Sequence, residues 1–477
     1  MKIHLLGIGG TGMASLAGML QASGHEITGS DQGIYPPMST LLEEWKINVT
    51  CPYAEKNIPE QCDLVIIGNV ISRNNPEAQE VIKRELPYLS MPETIQRFFL
   101  KDKKSLVVAG THGKTTTTSM LSWVLEHCQQ EPSFFVGGKP QNFPQNFQLK
   151  TGPYFVLEGD EYDTAFFDKG PKFLHYQPFA VILTSIEFDH ADIYRDLEHV
   201  RSSFRKLMQI IPEEGLLIAN IDDPEVKALL KEYPGRVVRY AMLPENRQQC
   251  DYYADLESIE NNTHFSLYEK GEKKLGKFQL NIPGRHNLSN SLGVLSLCCK
   301  LGLDLKTMQE ALVQFKGVKR RQEILGETNN ILIIDDFAHH PSAVRETILA
   351  IHEKFPQRRL WAIFEPRSNT SKRDIFQNQY PQSFRLADQV ILASVFQPEK
   401  VQSGQTLNVD KIVQEINQQM ERNSEIGSQD KKAVHINNYD QLVSHLVKES
   451  QSGDILLFMS NGDFGGVARK TLENLKS

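Results

Sequence analysis

The stretch that decides the fold covers residues 106–116 and reads LVVAGTHGKTT. An apolar strand runs into a glycine turn, which is followed by a lysine, two threonines and an amphipathic helix. Backbone N–H groups at the start of such a helix surround phosphate oxygens, the lysine supplies a positive charge, and a threonine hydroxyl reaches Mg²⁺. The pattern predicts a phosphate-binding loop formed by Gly110, Thr111, His112, Gly113, Lys114, Thr115 and Thr116.

This loop departs from the general phosphate-loop pattern at one position. The pattern G-x-x-x-x-G-K-[ST] places a glycine at position 108, where this chain has Val108. A bare Gly-Lys-Thr is a frequent chance match, but here a strand precedes it and an amphipathic helix follows it. The context favours a true phosphate loop.

A second glycine loop lies close to the N-terminus. A short apolar strand at residues 3–6 leads into Gly-Ile-Gly-Gly-Thr-Gly-Met at 7–13, and the next strand ends in Asp31. This order matches the dinucleotide-binding fingerprint, in which a diphosphate lies over the helix N-terminus and an acid meets a ribose. The pattern does not distinguish NAD from another nucleoside diphosphate, and a tight turn without a ligand is the structural alternative. Candidate contacts are Gly7, Gly9, Gly10, Thr11, Gly12 and Met13 for a diphosphate, and Ser30 or Asp31 for a ribose.

Acidic and polar clusters follow several later strands. Glu158-Gly-Asp-Glu-Tyr-Asp follows the strand at 154–157, and Ser185 to His190 follows the strand at 179–184. Ligands of α/β sheets collect at the carboxyl ends of strands, and acids with a histidine there suit Mg²⁺ near phosphates. Acids that merely cap strands are the alternative for either cluster alone. His286, Asn287 and Asn290 open a further helix and are suited to reading adenine and ribose, although a helix N-cap explains them as well.

The last third of the chain again alternates strands and helices. Residues 331–341 predict a strand, a polar elbow and a helix start, and the strands at 359–364 and 455–459 also end in polar elbows, which suggests a ligand face for an acidic or zwitterionic guest. A solvated loop is the alternative for residues 365–372. Residues 315–321 are predicted to form a hinge that carries cations, and residues 422–432 a polar loop.

Size and composition limit the remaining possibilities. A chain of 477 residues, 40% hydrophobic and 23% charged, predicts two to four globular domains. A net charge of −7 argues against a general nucleic-acid binder, and no apolar run approaches the ~18–20 residues of a membrane span. Because a strand begins immediately after Met1, we expect no signal peptide. Six cysteines without a CxxC pair favour a reduced, cytoplasmic setting.

Taken together, these motifs resemble the Mur ligases over essentially the whole chain. The family's motifs occur in order: the phosphate loop, Glu158, Asp189-His190, Gly284-Arg-His-Asn with Asn290, Arg320-Arg321 and Asp335-Asp-Phe-Ala-His-His-Pro. The resemblance implies an α/β chain with three domains: Rossmann-like at 1–100 for a UDP-sugar, P-loop ATPase-like at 101–318 for ATP, and Rossmann-like at 319–477 for the incoming amine. It also implies that the first glycine loop holds a UDP diphosphate and not NAD.

Within the family, the chain is similar to the branch that accepts UDP-N-acetylmuramate. Residues 161–169, 365–370 and 459–466 resemble those of the member that attaches the intact tripeptide L-alanyl-γ-D-glutamyl-meso-diaminopimelate in peptidoglycan recycling. The implied activity is therefore an ATP-dependent amide ligation that serves cell-wall biogenesis, cell shape and division. The alternative is the ligase that adds L-alanine, which typically has a Pro-His-Arg-Tyr motif where this chain has Pro366-Arg-Ser-Asn.

The resemblance also implies residue roles. ATP and Mg²⁺ are the expected cofactors, and Lys114, His190 and Arg321 the expected catalytic residues. The further expected contacts are Thr115, Glu158 and His190 for metal; His286, Asn287, Asn290, Arg321 and Asp336 for ATP; Asn69, with the first glycine loop, for the UDP-sugar; and Arg367, Ser368, Asn369 and Asn461 for the peptide. Several Mur ligases carry a carbamoylated lysine that helps to hold a second Mg²⁺; in this chain Phe204 stands at that position, so none is assigned.

Two other classes explain less of the sequence. An NAD dehydrogenase accounts for residues 7–31 but leaves the phosphate loop and both acidic clusters without a role. A nucleotide-dependent switch or scaffold without enzymatic activity needs no acceptor pocket. The sequence does not determine the oligomeric state.

Overall fold

The fold is known from a computed structural model that describes residues 1–259, 262–423 and 432–476. Three large sheets follow one another along the chain, each covered by helices. Most of the predicted polar loop at 422–432 lies outside the described residues. Of its ends, Arg422 belongs to a helix and Lys432 begins a strand, so the predicted loop was too long on both sides.

The N-terminal unit is a five-stranded parallel sheet in the order β3-β2-β1-β4-β5. Its elements are β1 (Lys2–Leu6), α1 (Thr11–Ala22), β2 (Glu26–Ser30), α2 (Met38–Glu44), β3 (Asn48–Thr50), β4 (Leu64–Ile67), α3 (Pro76–Lys83), β5 (Tyr88–Ser90) and α4 (Met91–Phe99). Strand β4 is apolar and buried throughout, as is usual for a parallel strand covered on both faces. The sequence order reverses at β1, so the first glycine loop emerges at the switch point where ligands of such sheets bind.

The central unit is a ten-stranded mixed sheet in the order β17-β16-β15-β14-β13-β12-β6-β9-β7-β8, with a separate β10–β11 hairpin. Its strands are β6 (Lys104–Ala109), β7 (Ser133–Phe135), β8 (Phe147–Gln148), β9 (Tyr154–Gly159), β10 (Asp163–Ala165), β11 (Asp168–Pro171), β12 (Pro178–Leu183), β13 (Leu216–Asn220), β14 (Val237–Ala241), β15 (Tyr252–Ile259), β16 (Thr263–Glu269) and β17 (Lys273–Leu280). Its helices are α5 (Lys114–His127), α6 (Leu197–Gln209), α7 (Pro224–Leu229), α8 (Arg285–Lys300) and α9 (Leu305–Gln314). Strand β6 lies between β9 and β12 and is parallel to both, so the loops that follow these three strands meet at one edge.

The C-terminal unit is a six-stranded sheet in the order β18-β19-β23-β20-β21-β22, in which only the β18–β19 pair is antiparallel. Its elements are β18 (Glu323–Thr328), β19 (Ile331–Asp336), α10 (Pro341–Lys354), β20 (Leu360–Phe364), α11 (Tyr380–Ser383), β21 (Gln389–Ala393), α12 (Val409–Asn423), β22 (Lys432–Ile436), α13 (Tyr439–Glu449), β23 (Ile455–Met459) and α14 (Val467–Lys476). The predicted fold class, an α/β chain of three such units, is confirmed; the exact domain limits stay predictions.

The junction between the central and C-terminal units is shorter than the predicted hinge at 315–321. Residues 317 and 319 hydrogen-bond to the backbone of residues 141 and 139 in the central unit. By contrast, the backbone N–H of Arg320 bonds to Glu323, and that of Gln322 bonds to Asp336 in β19. Arg320 and Gln322 both have positive φ. The change from one unit to the other therefore takes place over residues 320–322.

Two further observations concern the whole chain. None of the helices among the described residues is long and apolar enough to cross a membrane. All six cysteines are free thiols, in agreement with the absence of a CxxC pair from the sequence.

We predict that Phe204→Ala lowers the free energy of unfolding by about 3–5 kcal/mol, because it leaves a cavity in the core. Phe204 on α6 is fully buried, with its ring 5.8 Å from that of Phe173. Urea unfolding followed by circular dichroism measures the change. Ile210→Ala, at the exposed end of the same helix, is the control and should cost less than about 0.5 kcal/mol. Equal losses in the two variants would contradict the prediction.

Candidate active site

All three units line one cavity of about 1980 Å³. Predicted site residues that line it are Gly7, Gly10, Thr11, Gly12, Met13, Asn69, Thr111, His112, Gly113, Lys114, Thr115, Thr116, Glu158, His190, His286, Asn287, Asn290, Arg321 and Asp336. Predicted residues that do not line it are Gly9, Ser30, Asp31, Gly110, Arg367, Ser368, Asn369 and Asn461. The two glycine loops therefore face a common space.

The phosphate loop positions Lys114 at the first turn of α5. Its Nζ lies 2.7 Å from the carbonyl oxygen of Gly110 and 2.8 Å from Oε2 of Glu161. Burial by itself would lower the pKa of Lys114, but the carboxylates of Glu161, Asp160 and Glu158 raise it above its usual value. The lysine is therefore a fixed positive charge at the mouth of the loop.

Gly113 shows why the loop requires glycine. It has φ of 81°, and a Cβ atom at this position would collide with Oδ1 of Asn290. An L-residue with a side chain is strained in this conformation, and the helix that carries Asn290 leaves no space for one.

Thr115 and Glu158 form the part of the site that suits a hard cation. The Thr115 hydroxyl donates to Oε1 of Glu158 at 2.7 Å, and Oε2 accepts from the backbone N–H of Gly137 at 2.8 Å. A carboxylate and a hydroxyl that converge beside a phosphate loop are the ligand types that Mg²⁺ takes. These two side chains fit the predicted metal role.

We call residues 185–192, which follow β12, the acidic elbow. His190 has φ of 54°, and its Nε2 lies 3.1 Å from Oε1 of Glu161. Burial lowers the pKa of His190, but the Glu161 and Asp189 carboxylates outweigh it and leave the pKa raised. Because Nε2 is held by Glu161, His190 would have to leave that carboxylate before this nitrogen could bind a metal. The predicted metal role of His190 therefore fits less directly than those of Thr115 and Glu158.

The predicted adenosine contacts surround the start of α8. Asn287 donates to the Pro283 carbonyl at 2.7 Å, and Asn290 donates to Asn287 Oδ1 at 3.3 Å. The Nδ1 atom of His286 is buried without a hydrogen-bond partner among the described residues, and burial lowers the pKa of this histidine to about 4. A neutral imidazole with a free nitrogen is suited to a nucleoside ligand.

Asp336, an expected ATP contact, is already hydrogen-bonded within the protein. Its Oδ2 accepts from the backbone N–H of Gln322, and its Oδ1 from that of Ala338, both at 2.7 Å. Burial raises the pKa of this carboxyl. Oδ2 thus holds the inter-unit junction and Oδ1 holds the segment after β19, so a ribose hydroxyl would have to share oxygens that already accept.

Arg321 lies within the junction at residues 320–322, and its guanidinium packs against an aromatic ring. Its guanidinium carbon is 4.5 Å from the centre of the Phe337 ring. Burial lowers its pKa, although the nearby Asp336 and Glu158 act in the opposite direction. Among the described residues no carboxylate is within ion-pair distance of this guanidinium, so it is available to an anion in the cavity.

Beside the first glycine loop, the two expected ribose contacts, Ser30 and Asp31, are hydrogen-bonded within the protein. Asp31 accepts from the backbone N–H of Gly9 at 2.8 Å and so braces the loop itself. Ser30 is fully buried and donates to the Glu77 carboxylate. The expected ribose contact from Ser30 is therefore not supported by its position, whereas Asn69 and the rest of the loop face the cavity.

The predicted peptide contacts lie near one another but outside the main cavity. Arg367 stacks on Phe396 at 3.8 Å and pairs with Asp463 at 3.3 Å, while Asn369 donates to Asp192 of the acidic elbow at 2.8 Å. Ser368 bonds to Ser371. The side-chain oxygen of Asn461 is buried without a partner among the described residues.

The sequence interpretation missed several groups that organise the site. Glu161 is 2% exposed and bonds to both Lys114 and His190. Asp160 pairs with Lys172 at 2.7 Å, because the β10–β11 hairpin brings this lysine back to the site. Glu161 stood inside a quoted acidic motif and could have been found there, whereas nothing in the sequence around Lys172 indicated its partner.

The phosphate loop, the Thr115–Glu158 pair and the first glycine loop line one cavity, which is the arrangement that an ATP-dependent ligase needs. Three family models match the chain: "Mur ligase family, catalytic domain" at residues 2–103, "Mur ligase middle domain" at 108–298 and "Mur ligase, glutamate ligase domain" at 320–462. The chain belongs to the Mur ligase family, whose members form amide C–N bonds with ATP.

Similar proteins cover the chain from end to end. The UDP-N-acetylmuramate–L-alanyl-γ-D-glutamyl-meso-2,6-diaminoheptandioate ligase of Escherichia coli K12 is 37% identical over 100% of this chain and 98% of its own. A UDP-N-acetylmuramate–L-alanine ligase of Alkaliphilus metalliredigens is 31% identical over 98% of this chain and 96% of its own. The crystal structure of a murein peptide ligase from Psychrobacter arcticus has a TM-score of 0.72 and 34% identity, covering 100% of this chain and 99% of that one.

We predict that Asp223 lowers the free energy of unfolding as the pH rises. This residue is the N-cap of α7 and lines the cavity. Burial raises the pKa of this carboxyl to about 6 from 3.8. When folding raises the pKa of an acid, the protein loses stability as the pH rises from the pKa of the unfolded state to that of the folded state. The free energy of unfolding of the wild type, relative to Asp223→Asn, should therefore fall by about 2 kcal/mol between pH 4.5 and 7.

Urea unfolding of both proteins across this range measures the difference. Asparagine keeps the N-cap acceptor, so the variant removes the charge and not the cap. A difference that does not change with pH would show that Asp223 titrates as an ordinary carboxyl.

Proposed function

We propose that this protein joins L-alanyl-γ-D-glutamyl-meso-diaminopimelate to UDP-N-acetylmuramate, with conversion of ATP to ADP and phosphate. The observation that carries the proposal is the shared cavity, which is lined by the first glycine loop from one side and by Lys114 and Thr115 from the other. A UDP-sugar on the first loop and ATP on the second would have their reacting ends in the same space. The full-length similarity to tripeptide-adding ligases supports the choice of substrates.

The chemistry requires activation of a carboxylate, because its oxyanion is a poor leaving group. In the first step, a lactyl carboxylate oxygen of UDP-N-acetylmuramate attacks the γ-phosphorus of ATP and ADP leaves, which gives an acyl phosphate. In the second, the free amine of the tripeptide attacks the acyl carbon. The amine then loses a proton, phosphate leaves from the tetrahedral intermediate, and the amide is formed.

Two anions must meet in the first step, so the site has to supply positive charge. The repulsion of two unit charges at 4 Å is about 1 kcal/mol in water and about 4 kcal/mol at an effective dielectric constant near 20. Lys114 is positively charged at the loop, and Arg321 faces the cavity without a carboxylate partner among the described residues. These fixed charges would stabilise the transition state more than the separated substrates.

Mg²⁺ is the metal that the donor set favours. Thr115 and Glu158 would hold it through hydroxyl and carboxylate oxygens, and His190 is a further ligand if it is released by Glu161. When bound, Mg²⁺ neutralises phosphate charge and helps to align the phosphoryl group. His286, Asn287 and Asn290 are proposed to hold the adenosine.

The C-terminal unit is proposed to receive the tripeptide. Arg367, Ser368 and Asn369 lie together on the elbow after β20, and Asn461 on the elbow after β23 offers a buried amide oxygen without a partner among the described residues. Arg367 is held by Phe396 and Asp463, which would present a fixed guanidinium to a substrate carboxylate. The proposed domain limits are 1–100, 101–318 and 319–477, and the proposed role is peptidoglycan recycling in the cytoplasm.

We predict that Lys114→Met lowers kcat for ligation by at least about 100-fold, since it removes a charge aimed at the transferred phosphoryl group. UDP-N-acetylmuramate should bind the variant nearly as it binds the wild type, because its proposed loop lies in another unit. Release of ADP and isothermal titration measure the two properties. Lys169→Met, at a lysine 69% exposed on the β10–β11 hairpin, is the matched control. Normal turnover by the Lys114 variant would contradict the mechanism.

We predict that the purified protein, given ATP, Mg²⁺ and UDP-N-acetylmuramate, uses the tripeptide as amine and uses L-alanine poorly. Mass spectrometry of the UDP-linked product and release of phosphate measure the two reactions side by side. Efficient use of L-alanine with no tripeptide product would overturn the choice of acceptor and leave the ligase chemistry standing.

A further inference from the structure

A histidine–glutamate cluster joins the phosphate loop to the C-terminal unit. It consists of His112 in the loop, Glu187 in the acidic elbow and His340 at the N-cap of α10. One ligand-type atom from each lies within 4.8 Å of the others. The proposed ligation uses none of these side chains.

The protonation of His340 leaves two acceptors facing each other. Its Nε2 lies 3.2 Å from the carbonyl oxygen of Phe188, which can only accept, so Nε2 carries the proton. The backbone N–H of Ser342 donates to Nδ1 of His340, so this nitrogen carries a lone pair. That nitrogen is 3.3 Å from Oε2 of Glu187 and accepts only a long bond, also 3.3 Å, from the backbone N–H of Ser342. A carboxylate and an imidazole lone pair at this separation repel each other unless a cation lies between them.

The distances around Glu187 suit a small tetrahedral cation. Oε2 of Glu187 lies 3.1 Å from Nε2 of His112 and 3.3 Å from Nδ1 of His340. Zinc bound to nitrogen and oxygen at about 2.0–2.2 Å places neighbouring tetrahedral ligands roughly 3.3–3.5 Å apart. The three ligand atoms lie within 4.8 Å of one another, so the two histidine nitrogens would have to approach to about 3.3–3.5 Å to complete this geometry. Two imidazoles and one carboxylate also favour Zn²⁺ over Mg²⁺, which takes oxygen ligands.

The surroundings of the cluster resemble the outer shell of a metal site. A metal-binding histidine almost always donates its other ring N–H to a carbonyl or carboxylate, as His340 does to Phe188. The second oxygen of Glu187 accepts from the Ser342 hydroxyl at 3.1 Å, which fixes the carboxylate. Nδ1 of His112 has no recorded partner in the described part of the chain and can carry the proton when Nε2 binds a metal. His112 and Glu187 line the cavity, so an entry path exists.

We propose that His112, Glu187 and His340 form a Zn²⁺ site with one open position toward the cavity, separate from the proposed Mg²⁺ position at Thr115 and Glu158. Bound zinc would tie α10 of the C-terminal unit to the phosphate loop. The site does not depend on the identity of the amine substrate.

The test is metal binding by the full-length protein after treatment with a chelator, in buffer with excess Mg²⁺ to fill oxygen-rich positions. Isothermal titration with Zn²⁺ should show one site, and Co²⁺ in its place should give the visible absorption of a tetrahedral complex. His340→Asn should weaken Zn²⁺ at least about 10-fold, because it removes a ligand. Asparagine is a good N-cap residue, so this variant keeps the start of α10. Glu187→Gln should weaken binding as well.

Two controls separate this site from others. His352→Asn removes a histidine from the same helix away from the cluster and should bind Zn²⁺ as the wild type does. His190→Ala removes the nearby candidate ligand of the proposed Mg²⁺ centre and should retain the tetrahedral Co²⁺ signal. The proposal is wrong if the wild type takes up no Zn²⁺, if His340→Asn binds it unchanged, or if His190→Ala alone abolishes binding.

Discussion

The buried carboxylate of Glu161 is the constraint on which the rest of the site depends. It accepts from Lys114 in the phosphate loop and from His190 in the acidic elbow, and it is 2% exposed. A buried charge needs partners, and removal of one partner from such a pair typically costs about 3–5 kcal/mol. Glu161 therefore links the loop to the elbow electrostatically, in addition to hydrogen bonds such as that from the Thr111 N–H to the Ser185 carbonyl. A phosphate that draws Lys114 forward must compete with Glu161, which would make the site respond to anions and not to neutral ligands.

The order of strands explains why so much of the fold could be predicted. Strands β6, β9 and β12 are parallel neighbours, so the segments that follow them begin at the same edge of the sheet, whatever the conformation of the loops. The short apolar run of β23 was predicted to the residue, because a buried parallel strand is apolar on both faces. The antiparallel strands β15–β17 were missed; in β17, the exposed Lys273, Lys274 and Lys277 interrupt the apolar pattern. Most of the predicted site residues that line the cavity were identified from motifs shared with the family, and not from hydrophobic periodicity.

What could not be predicted is how the polar side chains are paired. Asp336 lines the cavity as expected of an ATP contact, yet both of its oxygens accept from backbone N–H groups. Ser30 follows a strand in the expected place, yet its side chain points to Glu77 in the core. His340 and Glu187 are far apart in the sequence and meet only because the C-terminal unit lies on the elbow. Sequence patterns indicate which edge of a sheet a residue reaches; the choice among several nearby acceptors depends on rotamers and burial that no local pattern contains.

The acidic elbow is also where the C-terminal unit makes contact, and this has a mechanical consequence. Asn369 donates to Asp192 at 2.8 Å, Arg373 donates to the Ala191 carbonyl at 3.1 Å, and His340 bonds to the Phe188 carbonyl. The covalent junction is confined to residues 320–322, so rotation there must break or remake these contacts. The elbow also carries His190, which shares the Glu161 carboxylate with Lys114. Movement of the unit proposed to bind the amine is thus coupled, within a few residues, to the charges that surround the transferred phosphoryl group.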